Sequence, residues 1–135
     1  MTDQRVYLAA RYDRRPEMLG YTNELERMGY GVTSRWVLGL HEGATEPVTL
    51  GQCAHEDLED IDRADIFITF TETPDIGHTS GGRHVEMGYA LAQGLSVIVV
   101  GPAENVFHHL SVGTEERLPR LARVETWADA LRWLA

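Results

Sequence analysis

The chain contains no lysine, and all twelve of its basic residues are arginine. This absence excludes enzymes that form a Schiff base on a lysine amine and nucleotide-binding proteins that hold phosphate with a P-loop lysine. The sequence also has a single cysteine, Cys53, which cannot form an internal disulfide and has no companions at metal-ligand spacing. We therefore expect a reducing compartment and a cytoplasmic location.

Long apolar runs and positive charge are scarce as well. No stretch approaches the roughly 20 apolar residues of a membrane span, and residues 1–5 are too polar to begin a secretion signal. Acidic residues outnumber basic ones 21 to 12, which argues against a protein that binds a nucleic-acid backbone. With 135 residues, 43% of them hydrophobic, the chain has the size of one domain with one core. The composition predicts a single domain, residues 1–135, that acts on a small molecule, with neither nucleic acid nor membrane as a partner.

Short apolar runs rich in β-formers alternate with segments of helical spacing. Two of the runs, at residues 66–70 and 97–100, are continuous, a pattern typical of strands buried on both faces of a parallel sheet. Thr49 and Thr126 are candidate N-caps. The predicted strands are residues 6–10, 32–37, 66–70, 97–100 and 121–124, and the predicted helices are residues 17–28, 50–64, 82–93 and a last helix after Thr126. The alternation predicts an α/β fold, a doubly wound, Rossmann-like (flavodoxin-like) three-layer sandwich with a parallel sheet of about five strands.

Sheets of this kind bind ligands beyond the carboxyl ends of their strands. This rule points to four loops, at residues 9–15, 36–47, 71–82 and 101–110. The first loop lacks the Gly-x-Gly-x-x-Gly fingerprint of dinucleotide binding, because residues 9–13 read Ala-Ala-Arg-Tyr-Asp. We therefore expect no standard NAD site and no cofactor.

The third loop ends in a glycine-rich turn, Ser80-Gly81-Gly82, which leads into a helix. A helix N-terminus offers free backbone N–H groups and the positive end of the helix dipole, so this turn suits a phosphate. The Ser80 hydroxyl and Arg83 are candidate additional donors. The other interpretation is an ordinary glycine turn with a serine cap.

Glu86 lies near the start of the same helix, between the apolar residues Val85 and Met87. A carboxylate at the ligand end of the sheet can attack an anomeric carbon and form the covalent intermediate of retaining glycosyl chemistry. A second acid would then assist the departing group. The alternative is an exposed ion pair of small value between Glu86 and Arg83.

The helix predicted at residues 50–64 is strongly acidic. A charge run of this kind is usually a solvated face, and we interpret most of its carboxylates in that way. Asp57 and Asp65 are exceptions by position, and Asp65, at the far end of the sheet from the expected site, is expected to be structural. The acidic run contains Glu56, Asp57, Glu59, Asp60 and Asp62.

The six histidines show no metal-ligand spacing, so we expect no metal. Tyr7 is by default a core aromatic.

Taken together, these segments resemble the nucleoside 2-deoxyribosyltransferase superfamily, which includes the nucleoside 5′-monophosphate N-glycosidases. The similarity covers residues 6–110 and implies a nucleoside 2-deoxyribosyltransferase-like domain. It rests on Val6-Tyr7-Leu8-Ala9, on Asp57-Leu58 upstream of Ala64-Asp65-Ile66-Phe67, on the helix His84-Val85-Glu86-Met87-Gly88-Tyr89-Ala90, and on Gly94 before the next strand.

The resemblance implies roles for three residues. Glu86 matches the glutamate that attacks C1′ of the sugar. Asp57 matches the aspartate that assists the departing or incoming base and orients the sugar. Tyr7 matches a tyrosine that helps to set the sugar and the nucleophile, which makes it a candidate catalytic residue.

The resemblance also implies a homodimer or a larger homo-oligomer. Active sites in this family are commonly completed by a neighbouring subunit, through the segment after the strand that matches residues 97–100. The candidates for a cross-subunit contact here are Asn105, His108 and His109.

The residue six positions before the nucleophile separates branches of the family. Free-nucleoside transferases have an aspartate there that engages the base, whereas the 5′-monophosphate hydrolases have a serine that binds phosphate. This chain has Ser80, and a serine at a helix N-terminus suits a dianion that an aspartate would repel. The triplet His84-Val85-Glu86 is also similar to that of cytidylate-hydrolysing members.

The first loop departs from the family, because it reads Arg11-Tyr12-Asp13 where relatives have Gly-Pro or Gly-Ser. Arg11, or Arg14 instead, is a candidate source of positive charge for a phosphate. The full set of predicted substrate- and phosphate-binding residues is Ser80, Gly82, Arg11, Tyr12 and His84.

The resulting prediction is an N-glycosidase that hydrolyses a nucleoside or deoxynucleoside 5′-monophosphate through a covalent glycosyl-glutamate intermediate. One alternative is a 2-deoxyribosyltransferase that exchanges bases at the same site. A second is a non-catalytic nucleotide-binding or sensor module, which predicts that Glu86 faces solvent and pairs with Arg83. A resemblance to the cytokinin-activating phosphoribohydrolases is weakened because their Pro-Gly-Gly-x-Gly-Thr pattern is missing.

Overall fold

The computed structural model describes residues 2–39, 49–77, 81–110 and 121–134. The strands are β1 (Arg5–Ala9), β2 (Gly31–Val32), β3 (Ile66–Phe70), β4 (Ser96–Val100) and β5 (Leu121–Val124). The helices are α1 (Arg15–Arg27), α2 (Arg35–Leu38), α3 (Leu50–Asp62), α4 (Gly82–Ala92) and α5 (Trp127–Leu134). The described strands form one five-stranded sheet in the order β2-β1-β3-β4-β5, and all pairings are parallel. The predicted fold class is confirmed.

The core lies on the inner strands of the sheet. Every residue of β3 is buried, because a strand covered by helices on both faces needs apolar side chains in both directions. Tyr7 in β1 is in register with Phe67 in β3, and their rings stack with centroids 5.6 Å apart. Each fully buried side chain of this size contributes about 1.5–3 kcal/mol by removal of apolar surface from water.

The helices form two layers. Trp127 of α5 donates a hydrogen bond from Nε1 to Glu24 of α1 at 2.9 Å, so these two helices lie together. Tyr89 of α4 donates from its hydroxyl to Asp62 of α3 at 2.7 Å, so these two form a second pair. Right-handed crossovers place the two pairs on opposite faces of the sheet, which gives the three layers of a doubly wound fold.

Several local predictions are confirmed. The Thr49 hydroxyl accepts the N–H of Gln52 at 3.1 Å and caps α3, and Thr126 accepts the N–H of Asp129 at 3.2 Å. Asp65 has the expected structural role, since its Oδ2 accepts the backbone N–H of Arg5 at 2.9 Å. No helix in the described ranges has both the length and the apolar character needed to cross a membrane.

The strand predicted at residues 32–37 is wrong for most of its length. Strand β2 ends at Val32, and Arg35–Leu38 is the helix α2. The apolar and aromatic composition favours a strand, but two contacts distant in sequence decide otherwise. Trp36 donates from Nε1 to the Leu8 carbonyl at 2.8 Å, while Arg35 reaches carboxylates on α3.

Two carboxylates of the acidic run on α3, Glu56 and Asp60, do not lie on the solvated face that the charge pattern predicts, whereas Asp62 is exposed as expected. Glu56 is 5% exposed and Asp60 is fully buried. Both accept hydrogen bonds from the Arg35 guanidinium, and Asp60 also accepts the backbone N–H of Arg35. Burial is possible because the arginine comes from another helix, which the pattern of one helix does not reveal.

Candidate active site

A pocket of about 340 Å³ opens beyond the carboxyl ends of the strands, between the loop after β1 and the helices α3 and α4. Its volume falls in the range of small-molecule sites, roughly 300–1,000 Å³. Five residues that the sequence singles out are among those that line it, namely Arg11, Tyr12, Asp57, Gly82 and Glu86. The fold therefore brings together residues from three separate parts of the chain.

Glu86 and Tyr7 form the central contact of the site. The Tyr7 hydroxyl donates a hydrogen bond to Oε2 of Glu86, which joins the sheet to α4 across 79 positions of sequence. Tyr7 is fully buried and its ring is fixed by stacking on Phe67. Tyr7 is therefore both a core aromatic and a partner of the carboxylate, and its rigid ring holds that carboxylate in one orientation.

The surroundings of Glu86 shift its acidity toward neutrality. Burial, which disfavours the charged form, is the main reason that the pKa of Glu86 is raised to about 7. The hydrogen bond from Tyr7 opposes this effect, and the charge of Asp57 adds to it. The pKa of Tyr7 is raised well above its ordinary value, mainly by burial and then by the charges of Glu86 and Asp57. Tyr7 therefore keeps its proton and stays a hydrogen-bond donor. A carboxylate that titrates near 7 in a pocket is a typical catalytic group.

Asp57 lies on the other side of the pocket, on α3. Its charge raises the pKa of both Glu86 and Tyr7, so it is electrostatically coupled to both. Two carboxylates on different helices thus face one cavity. This is the arrangement that acid-assisted glycosyl chemistry requires.

The first turn of α4 forms the wall of the pocket next to Glu86. Gly81 is the N-cap with φ of 81°, a conformation that favours glycine, and its carbonyl accepts the N–H of His84 at 3.0 Å. The N–H groups of Gly82 and Arg83 therefore precede the first intrahelical hydrogen bond. No described atom lies within 4 Å of the place where a Cβ on Gly82 would stand. Ser80, the predicted phosphate ligand, lies outside the described residues.

Arg83 is not the phosphate donor that the sequence suggests. Its side chain is 3% exposed and forms two hydrogen bonds to Glu104, with Nη2 and Oε2 at 2.8 Å. The suggested surface pair between Arg83 and Glu86 is also wrong, because each residue has a different partner. Glu104 in addition accepts the N–H of Glu72 at 2.8 Å, so the pair joins the loops after β3 and β4.

The two other candidate arginines differ in how firmly they are held. Arg14 donates to Glu17, to Glu72 and to the Thr71 carbonyl. Arg11 lines the pocket, and in the described part of the chain it forms an ion pair at 3.0 Å with Asp13, whose side chain is 64% exposed. An ion pair with so much solvent exposure is worth about 0–1 kcal/mol, so a ligand can displace it.

The aromatic residues of the rim are Tyr12, which is 75% exposed, and the nearly buried Trp36. Their ring centroids are 6.4 Å apart. Sequence reasoning placed Trp36 at the start of one of the four ligand loops, residues 36–47, but did not name it as a site residue. It also missed Cys53 as a lining residue, although Cys53 is one helical turn before Asp57 and therefore on the same face of α3.

His84 lies on a different face of α4 from Glu86, beside a second cavity of about 290 Å³ that it lines with Asn105 and Phe107. Its Nδ1 is 3.4 Å from Nδ2 of Asn105. The structure thus places His84 next to the segment after β4, not in the described wall of the first pocket.

The prediction that His108 crosses to a partner subunit is contradicted by its burial. His108 is 1% exposed, and its Nδ1 accepts the N–H of Glu104 at 2.9 Å within the same chain. Burial lowers the pKa of this histidine, so it is held as a neutral acceptor. Asn105 is half-buried and His109 is exposed, so both remain predictions for a cross-subunit contact.

In the ranges that the structure describes, no three His, Cys, Asp or Glu side chains are grouped as metal ligands would be. The chain matches no protein-family model, and no curated protein sequence matches it.

Three solved structures are similar to the chain over nearly its whole length. The CMP N-glycosidase BcmB of Clostridium botulinum has a TM-score of 0.67 at 23% identity, covering 97% of this chain and 98% of that chain. A conserved protein of Enterococcus faecalis V583 has a TM-score of 0.63 at 13% identity, and the match covers 97% of this chain and 96% of that chain. BlsM, solved in solution, has a TM-score of 0.63 at 20% identity, and the match covers 96% of this chain and 84% of that chain. At these identities the similarity establishes the fold, and the chain has the fold of a CMP N-glycosidase, as the resemblance in its sequence predicts.

Proposed function

We propose that this protein is an N-glycosidase that hydrolyses the bond between base and sugar in a nucleoside or deoxynucleoside 5′-monophosphate. The observation that carries the proposal is the Glu86 carboxylate, hydrogen-bonded to Tyr7 in a pocket that it shares with Asp57. The structural similarity to BcmB, a CMP N-glycosidase, supports this substrate class.

The first step is attack by the ionised Glu86 on C1′ of the sugar. The C1′–N bond breaks as the glutamate ester forms, and Asp57 donates a proton to the departing base. Tyr7 favours the ionised nucleophile by donating a hydrogen bond to it. In the second step water attacks C1′, Asp57 takes the proton from the water, and Glu86 is released with the sugar phosphate. The cycle needs no other reactant.

The phosphate would lie at the first turn of α4. The N–H groups of Gly82 and Arg83 are free of intrahelical bonds there, and the helix dipole favours a dianion. Arg11 would supply charge once the phosphate displaces the exposed Asp13. Ser80 would add a hydroxyl donor from the turn that precedes the helix. Arg14 and Arg83 are each paired with a carboxylate that is far less exposed than Asp13, so a phosphate can recruit Arg11 more easily than either of them.

We further propose that the protein works as a homodimer or a larger homo-oligomer. Asn105 and His109 lie on the segment after β4, where a neighbouring subunit would approach, and Asn105 is next to His84 in the first turn of α4. Size measurement in solution and the kinetics of Asn105→Ala test this proposal. A monomer with full activity would rule it out.

The decisive experiment incubates the protein with nucleosides and with their 5′-monophosphates, with and without a free acceptor base, and follows base release by chromatography. Release from monophosphates in water supports the proposal. Base exchange on unphosphorylated nucleosides alone would instead make the protein a 2-deoxyribosyltransferase. Binding of monophosphates with no release would indicate the non-catalytic module, although Glu86 faces the pocket and not solvent as that function predicts.

Two variants test the roles of the carboxylates. Glu86→Gln and Asp57→Asn should each lose at least about a hundredfold in kcat, a typical contribution of a positioned catalytic group. Asp62→Asn is the matched control, because Asp62 is an exposed carboxylate on the same helix as Asp57 and accepts hydrogen bonds from Tyr89 and Gln93, neither of which lines the pocket. A 2-fluoro sugar analogue should leave a mass adduct on Glu86, and an adduct elsewhere would refute the covalent mechanism.

A further inference from the structure

Arg35 forms the most densely bonded charged cluster of the described chain, and none of its bonds reaches the pocket directly. Its Nε donates to Asp60 at 2.9 Å, its Nη1 to Glu56 at 3.1 Å and its Nη2 to Glu59 at 3.2 Å. Nη2 also donates to the Glu56 carbonyl, and the Arg35 N–H to Asp60. One residue of α2 therefore holds four acceptor groups of α3.

The acceptors flank Asp57 in the sequence of α3. Successive helical residues are about 100° apart around the axis, so Glu56 and Asp60 share one face, and Asp57 is about 100° away from Glu56. Cys53 and Asp57 share the neighbouring face, which lines the pocket. The hydrogen bonds from Arg35 to Glu56 and Asp60 consequently fix the rotation of α3 about its axis. They thereby fix the direction in which Asp57 points.

Arg35 can set this rotation because its own position is fixed against the sheet. The next residue, Trp36, donates to the Leu8 carbonyl in β1 at 2.8 Å. On the other side, Thr33 donates from its hydroxyl to the Asp60 carbonyl at 2.8 Å. The connection therefore runs from β1, which also carries Tyr7, through Arg35 to α3.

The cluster is also a costly way to stabilise a helix contact. Several charges with little solvent access lose hydration, and well-packed apolar residues often stabilise such a contact equally well. The planar guanidinium offers something that apolar packing lacks, which is a set of donors in fixed directions. The need to hold α3 in one orientation is a reason to retain the charged cluster around Arg35.

We propose that Arg35 is a positioning residue for Asp57, which it holds toward the pocket by fixing the rotation of α3. This inference rests on the proposed function, because the orientation of Asp57 matters for proton transfer to the base. Arg35 itself touches no substrate.

The first test compares Arg35→Lys with Arg63→Lys in steady-state kinetics. Lysine keeps the charge and loses the fork of donors, so Arg35→Lys should lower kcat by about tenfold or more, part of the 10²–10⁴-fold effect of a general acid, with little change in KM. Arg63 contacts two of the same carboxylates, Glu59 at 3.6 Å and Asp60 at 3.4 Å, but it is the C-cap of α3 itself, so it cannot fix the helix against the sheet. Arg63→Lys should keep wild-type kcat, and an equal loss in both variants would overturn the proposal.

The second test asks whether the effect passes through Asp57. In the Asp57→Asn background, Arg35→Lys should cause no further loss of kcat, since the group that it positions is already gone. Losses that multiply would show that Arg35 acts on general stability, and would refute the proposal. If Arg35→Lys does not fold by circular dichroism, Glu59→Gln replaces it, because Glu59 is 42% exposed and is one of the Arg35 partners. Glu59→Gln should show a smaller loss of kcat than Arg35→Lys, and this loss should likewise disappear in the Asp57→Asn background.

A third measurement needs no turnover and therefore separates this inference from the proposed function. Carbon-13 NMR titration of the Glu86 carboxyl should give a lower pKa in Asp57→Asn, because the charge of Asp57 raises it. Arg35→Lys should shift the pKa in the same direction, because Asp57 then turns away. If the wild type releases no base from any substrate, the proposed function fails while this titration still decides the role of Arg35. An unchanged Glu86 pKa in folded Arg35→Lys would reject the role.

Discussion

Replacing Tyr7 with phenylalanine removes one hydroxyl and keeps the ring that stacks on Phe67. The lost interaction is a hydrogen bond to a carboxylate in a poorly hydrated site, worth about 1.5–3 kcal/mol. At 1.36 kcal/mol per unit, the pKa of Glu86 should rise by about 1–2 units. It would then move from about 7 to about 8–9.

The direction of the effect on rate follows from the need for an ionised nucleophile. At pH 7 the ionised fraction of Glu86 should fall about fivefold to fiftyfold, and the rate with it. The fraction recovers as the pH rises through the new pKa. Tyr7→Phe should thus lose activity near neutral pH and regain much of that activity at alkaline pH.

The assay is kcat/KM for base release from a nucleoside monophosphate between about pH 5 and pH 10. The midpoint of the acidic limb should shift upward in Tyr7→Phe. Tyr21→Phe is the matched control, because Tyr21 also donates to a glutamate, Glu17 at 2.8 Å, but neither residue lines the pocket. A loss that is the same at every pH, or a limb that shifts downward, would refute the argument that Tyr7 tunes Glu86.

Three further predictions concern stability and phosphate binding. Because folding raises the Glu86 pKa from 4.5 to about 7, its stabilising contribution is complete below pH 4.5 and is lost as the pH rises to about 7. Glu86→Gln should therefore be more stable than the wild type by up to about 3 kcal/mol at about pH 8 in urea denaturation, with no gain at about pH 4. Arg11→Ala should raise KM for a monophosphate about tenfold and leave KM for the nucleoside unchanged, and equal increases would contradict the phosphate role. Gly101→Ala should destabilise by about 1–3 kcal/mol, because φ is 118° and a Cβ would overlap Thr71 Oγ1. Gly20→Ala should not, because a Cβ there would meet no described atom within 4 Å apart from its chain neighbours and its own helix backbone.

The parts of the fold that could be predicted from the sequence are those determined locally. Strands β3 and β4 are continuous apolar runs, which only a strand buried on both faces explains well at that length, and both match closely. The threonine caps depend on residues three positions away and were also predictable. The short helix α2 was not, because bonds from Arg35 and Trp36 to distant residues override local propensity.

The candidate site divides in the same way. Glu86 and Asp57 were identified from their motifs, and the structure brings both to one pocket. The partner of each charge was not identifiable from the sequence. Arg83 was expected to face a phosphate or Glu86, but it pairs with Glu104, 21 positions later. Sequence spacing predicts contacts within one helix and gives no information on contacts between loops that follow different strands.

The hydrogen bond between Tyr7 and Glu86 has a consequence for the order in which the protein becomes competent. Its two residues are separated by 79 positions, and between them the chain contributes α1, β2, α2, α3 and β3. Contacts of such long range form late in folding, because a large loop must close first. A nascent or locally unfolded chain therefore lacks the contact that tunes Glu86, so the proposed activity would report on the assembly of the inner strands. Loss of activity during gentle denaturation should coincide with loss of the β1–β3 pairing and not with fraying of α5.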